Sequence, residues 1–140
     1  MINEKMIQAA VAEKLEKIGI SVTASEIKEG FNKPTAFISV IPTASERLNY
    51  CRERMETTVT IKYIPAVETV EQCAETAGKI RKGFFYETLD VGERRLTIEN
   101  MEFDYEDNVL YVYFDLNFIQ EIPDIEKYEP MNNLEMGGDI

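Results

Sequence analysis

Apolar positions recur along this chain with two different periods, and the switches between them mark out its elements. Ile7, Val11, Leu15 and Ile18 stand at steps of four, four and three, the spacing of one helical face. Met6 and Ala10 widen that stripe, while Glu13 and Lys17 form a solvated pair on the other side. A helix is therefore expected over residues 2–18, ended by Gly19 at the first non-helical position. Residues 20–27 read as extended, Glu29-Gly30 as a turn, and Lys33-Pro34 as a stop for any helix. The β-branched and aromatic run at 36–41 predicts a strand closed by Pro42, and residues 43–54 a polar connection. Met55, Thr57, Val59, Ile61 and Tyr63 then alternate with Glu56, Thr58, Thr60 and Lys62. That period of two describes a strand with one buried and one wet face, terminated by Pro65.

The second helix announces its start. Thr69 followed three residues later by Gln72 fits a capping box, and Val70, Cys73, Ala74, Ala77 and Ile80 supply the apolar stripe. Gly83 reads as its stop. A short strand is expected over 84–89, with Asp90-Val91-Gly92 as its turn. Leu96 and Ile98 alternate in one phase, and Met101, Phe103 and Tyr105 in the other, which suggests a β-bulge near Asn100. Glu106-Asp107-Asn108 reads as a hairpin turn. In the last strand, residues 109–118, Leu110, Val112, Phe114, Leu116 and Phe118 make one apolar face. Val109, Tyr111 and Tyr113 make the other face apolar too. Strands of that kind are buried on both sides. Either helix and loop sandwich this strand, or the face of Tyr111 and Tyr113 meets another subunit.

The pattern as a whole is α+β: a mixed, mostly antiparallel sheet with two helices packed on it. At 140 residues it suits one core, with a domain over 1–119 and an acidic extension over 120–140. Residues 121–140 hold six acids and one lysine and show no periodicity. They read as a frayed terminus. Alternatively they form an arm that orders on a neighbour through Ile122, Ile125, Tyr128, Met131 and Leu134.

Composition narrows the function. The hydrophobic fraction is 44% and the charged fraction 29%, ordinary for a globular chain, but the net charge is −11. Nucleic acid and anionic membranes both call for a basic footprint, so neither is an expected partner. The start of the chain has no signal-peptide pattern and no stretch is long enough to span a membrane, so a cytoplasmic setting is expected. Cys51 and Cys73 form no zinc or redox spacing.

The chemistry search returns little. The absence of histidine removes His triads, His zinc sites and His proton relays. Glu102, Asp104 and Glu106 alternate with apolar residues and read as the wet face of a strand. No phosphate loop, dinucleotide fingerprint or nucleophile elbow occurs. No catalytic, cofactor or metal-binding residue is expected, and no enzyme. Three basic groups remain: Arg47, Arg52 and Arg54 in one loop, Lys79, Arg81 and Lys82 at the end of the second helix, and Arg94 with Arg95 at a hairpin start. They are either scattered solvated charge or basic rims that meet acidic surfaces of identical neighbours around a ring.

Three stretches carry a family resemblance. They are Glu26-Ile27-Lys28-Glu29-Gly30-Phe31-Asn32-Lys33-Pro34-Thr35-Ala36-Phe37-Ile38, then Arg52 and Arg54 leading into Val59-Thr60-Ile61-Lys62-Tyr63-Ile64-Pro65, and the closing strand from Leu110 to Phe118. Together with the order helix, strands, helix, strands, they resemble the phage tail terminators of Gram-positive phages and prophages. The resemblance covers residues 1–118 and implies a virion structural protein. Such a protein forms a ring, typically hexameric, on the head-proximal end of the tail tube. It stops tube polymerisation and offers a surface to neck proteins, and to the sheath in a contractile particle. The implied partners are further copies of the chain, the tube protein, and sheath and neck proteins. The implied setting is the host cytoplasm during assembly, then the tail of a phage or phage-like contractile injection system. Arg47, Arg52, Arg54, Tyr111 and Tyr113 are the expected subunit-interface residues. The alternative is an acidic inhibitor or immunity-type module that masks a basic partner.

Overall fold

A computed structural model describes residues 2–23 and 34–122. The expected Glu29-Gly30 turn and the segment beyond Ile122 lie outside the described residues. The fold is α+β, as the pattern indicates. Helix α1 spans Glu4–Lys17, β1 Thr35–Asn49, β2 Arg52–Ile64 and α2 Val70–Ile80. A π-helical segment, Arg81–Phe85, continues α2. Then come β3 (Thr88–Val91), β4 (Arg94–Thr97), β5 (Met101–Glu106) and β6 (Val109–Glu121).

Four strands form one antiparallel sheet in the order β1-β2-β6-β5, and β3 and β4 form a separate hairpin. The register puts Ile38 opposite Ile61, Ile61 opposite Val112, and Val112 opposite Phe103. Side chains in such a row share a face. Val59, Ile61, Val112, Phe114 and Leu116 on that face join Ile7, Val11 and Leu15 of α1, Cys73 and Ile80 of α2, and Leu89, Val91 and Leu96 of the small hairpin in one core. Both helices and the small hairpin therefore cover the same side of the sheet.

Local chemistry explains the helix ends. Asn3 caps α1, its Oδ1 accepting from the Met6 amide at 2.9 Å. Gly19, at φ +92°, takes the left-handed turn out of the helix. Thr69 Oγ1 accepts from the Gln72 amide at 3.2 Å. Only half of the capping box forms, because Gln72 Oε1 accepts from the Val67 amide instead, at 2.9 Å. Lys14 Nζ donates to Glu87 Oε1 and to the Thr88 carbonyl, both at 3.1 Å, and so ties α1 to the start of β3.

Five expectations are corrected. Asp90 and Val91 are not a turn but the end of β3, paired with Arg95 and Arg94, and the turn is Gly92-Glu93. Pro42 does not close β1, and residues 43–49 are strand rather than loop. A proline is tolerated there because β1 is an edge strand and its register shifts between Pro42 and Ala44. Gly83 does not stop α2. It lies inside the π-helical segment, where a Cβ would stand 3.1 Å from Ile18 Cγ2, so its small size lets the segment approach α1. Phe84, expected in a strand, is a fully buried π-helical residue packed against Phe114, with ring centroids 5.8 Å apart and planes tilted by 43°. The phase change between Ile98 and Met101 is not a bulge. It is the passage from β4 to β5, two strands of different sheets. The turn between β5 and β6 falls where expected, with Asp107 and Asn108 both at positive φ.

Candidate assembly surfaces

Two surfaces are left without a covering element among the described residues. The first is the long β1–β2 hairpin. From Ile41 to Tyr50 every residue is exposed, and Tyr50 at the turn is 88% exposed. The expected single loop of Arg47, Arg52 and Arg54 is instead two paired strands. Arg54 stands opposite Glu46 and Arg47 opposite Glu53. The Arg54 Nη1 to Glu46 Oε1 distance is 2.6 Å. Glu53 accepts from Ser45 Oγ at 3.0 Å and from Gln120 Nε2 at 3.2 Å. β6 accompanies β2 to the tip, Arg52 facing Glu121, and the Ile122 amide donates to the Cys51 carbonyl at 2.9 Å. Arg94 braces this end: its Nη1 donates to the Ile119 carbonyl at 2.6 Å, and its guanidinium lies 5.9 Å from the Phe118 ring.

The second surface is the side of the sheet that faces away from the helices. Tyr111 and Tyr113 lie on it, half-buried and nearly parallel, with centroids 6.3 Å apart and planes 9° apart. Their neighbours across the ladder are Asp104 and Glu102 on β5, and Lys62 and Thr60 on β2. Thr58 Oγ1 donates to Asp115 Oδ1 at 2.7 Å further along. Burial raises the Tyr113 phenol above its ordinary pKa, with further contributions from Asp104, Tyr111 and Glu106. Tyr105, on the core side, is likewise raised, by burial first and then by Cys73 and Glu68.

The five expected interface residues do not form one patch. Arg54 shares the open face with Tyr111 and Tyr113, because its partner Ile119 continues their alternation along β6. Arg54 lies six residue steps along β2 from Thr60, the neighbour of Tyr113, or about 20 Å of strand. Arg47 points to the helix-bearing side, as its partner Glu53 does. The sequence reading missed Ile41 and Leu48, 57% and 38% exposed on the bare hairpin. A usable signal was present: the order Glu46-Arg47 repeats as Glu53-Arg54 beyond Tyr50-Cys51, which in an antiparallel hairpin sets opposite charges across from each other.

Among the described residues, no three Cys, Asp or Glu side chains come together in a group able to hold a metal ion. No helix among them is long and apolar enough to cross a membrane. Cys51 is exposed and Cys73 buried, both free, and burial raises the Cys73 thiol pKa.

Among the described residues, helices and the small hairpin cover one side of the sheet, nothing covers the other, and β1 and β2 run on into a long exposed hairpin. The chain belongs to the phage tail terminator protein family, whose model matches residues 6–128. It is a structural protein of a phage tail. The fold is similar to a chain in the virion of a native gene transfer agent particle, at 12% identity and a TM-score of 0.53, covering 82% of this chain and 94% of that one. Another solved structure aligns over 89% of this chain and 100% of its own, at 15% identity and a TM-score of 0.46, too low to bear on the argument. No curated protein sequence matches the chain.

Proposed function

We propose that the chain assembles into a closed ring, a hexamer, that caps the head-proximal end of a tail tube. The ring stops tube polymerisation and presents a surface to neck proteins, and to a sheath where the tail is contractile. The observation that carries this reading is the one-sided sheet. The core is completed on one face, while the opposite face keeps two half-buried tyrosines and the β1–β2 hairpin extends bare at the edge. Surfaces of that kind suit partners rather than solvent. A ring needs two different surfaces per subunit that fit each other; the open face is one of them, and the hairpin extends the contact at the edge of the sheet. Arg47, Arg52, Arg54, Tyr111 and Tyr113 are the proposed interface residues. Residues 120–140 are proposed as an acidic extension of the 1–119 domain.

No step in this function breaks or makes a bond, so the proposed role is not enzymatic. Assembly takes place in the host cytoplasm, and the ring then stays with the particle. The test replaces Arg52 and Arg54 by Glu. Assembly is expected to fall while the monomer keeps its melting temperature within a few degrees, since exposed ion pairs contribute at most about 1 kcal/mol. Normal capping of tails by that variant would remove the hairpin from the interface.

A further inference from the structure

The end of α2 carries a surface unlike the rest of this acidic chain. Lys79, Arg81 and Lys82 are all exposed there, and none is in an ion pair among the described residues. Tyr86 is 62% exposed, with the Arg81 guanidinium 5.5 Å from its ring centre. The π-helical turn produces this grouping. It widens the helix after Ile80, buries Phe84, and leaves Arg81, Lys82 and Tyr86 outside. Segments of this kind recur at functional sites.

The complementary surface lies on the opposite side of the same molecule. Between Arg95 and Lys127 the sequence contains no basic residue. Glu102, Asp104 and Glu106 stand in a row on β5, exposed and without an ion pair among the described residues. They flank Tyr111 and Tyr113 across the β5–β6 ladder. The row spans about 13 Å at strand rise, and Lys79 to Tyr86 spans about 10 Å at helical rise, so the two match in length. Tyrosine faces beside the acids also suit lysine and arginine, through cation–π attraction.

We propose that the open face of the sheet, with its acidic β5 row and its tyrosine pair, receives the basic end of α2 from a second copy of this chain. The contact joins two different surfaces on opposite sides of the subunit, so it is head-to-tail, continues past a dimer, and forms a ring when the rotation between successive copies closes. The inference rests on the ring reading above and names the two surfaces that meet. Asp104 and Glu106 stand close enough to Tyr113 to add to the rise that burial gives its phenol pKa, so acids and tyrosines form one surface.

The test is a charge swap on full-length protein, read by light scattering after size exclusion. One variant carries Lys79→Glu, Arg81→Glu and Lys82→Glu; the other carries Glu102→Lys, Asp104→Lys and Glu106→Lys. All six positions are exposed, and each variant's melting curve checks its fold. Each variant alone is expected to need at least about 100-fold more protein to assemble than the wild type, because like charges then face each other. Mixed in equal amounts, the two should assemble again, alternating around the ring. Assembly of either variant alone like the wild type overturns the inference and leaves the ring reading intact. So does failure of the folded mixture. A wild-type chain that stays monomeric alone and leaves polymerising tubes uncapped overturns both.

Discussion

Burial sorts the chemistry of individual residues in this chain. The two cysteines differ only in where the backbone puts them. Cys51, in the turn between β1 and β2, is exposed, and its Sγ lies 3.2 Å from Asn49 Oδ1. Cys73 is packed in the core on the buried face of α2. A thiol reagent should therefore modify one cysteine in the native protein and two in denaturant. Two fast native thiols would contradict the packing of α2. The Cys73 thiol pKa is raised in the folded state, so folding favours the neutral form. Its contribution to stability is complete below the unfolded-state pKa near 9 and is lost as pH rises through the higher folded value. Alkaline destabilisation that Cys73→Ala reduces is the expected signature. Phe84 is the largest fully buried side chain among the described residues. Phe84→Ala should lower unfolding free energy by about 3–5 kcal/mol in a denaturant titration. A loss under 1 kcal/mol would mean that the π-helical segment does not anchor the core.

Elements were legible in the sequence where one of their faces is buried. α1 and the central run of β2 each alternate buried and exposed positions, so periodicity finds them. The distal half of β1 has no buried face, and its residues 43–49 carry no alternation. Cross-strand pairing holds that stretch in place, and pairing is invisible to a reading of periodicity. Arg47, Arg52 and Arg54 were thus assigned to a loop, though they lie on two strands. Gly83 misled for a related reason: a glycine that permits close approach looks the same in sequence as one that ends a helix. At the start of α2, Thr69 supplies the cap. Thr69→Ala should cost about 1 kcal/mol, measured by thermal or chemical unfolding. No measurable change would place the helix start elsewhere.

In the whole molecule, the helices and the small hairpin lie on one side of the sheet, and charge is divided between surfaces. The double-sided apolarity of β6 was visible in the sequence, and it left two explanations for Tyr111 and Tyr113. The structure places β6 between β2 and β5, with no described helix over the tyrosines. The core face of the strand is met within the subunit; no described element covers the tyrosine face, which the proposal above gives to a partner. That division could not be read in advance, because periodicity shows that a face is apolar without showing what covers it. Charge-driven contacts between such surfaces weaken with salt. Ring assembly should accordingly shift to higher protein concentration as ionic strength rises from about 0.05 to 0.5 M. Indifference to salt would assign the contact to apolar burial alone.

The most direct test of the assembly account is the mass of the protein in solution over a concentration series, with negative-stain imaging of the largest species, alone and with polymerising tail tubes. The account predicts a closed ring near six times 16.1 kDa, seated at tube ends. A monomer at every concentration, with tubes that keep growing in its presence, would contradict it.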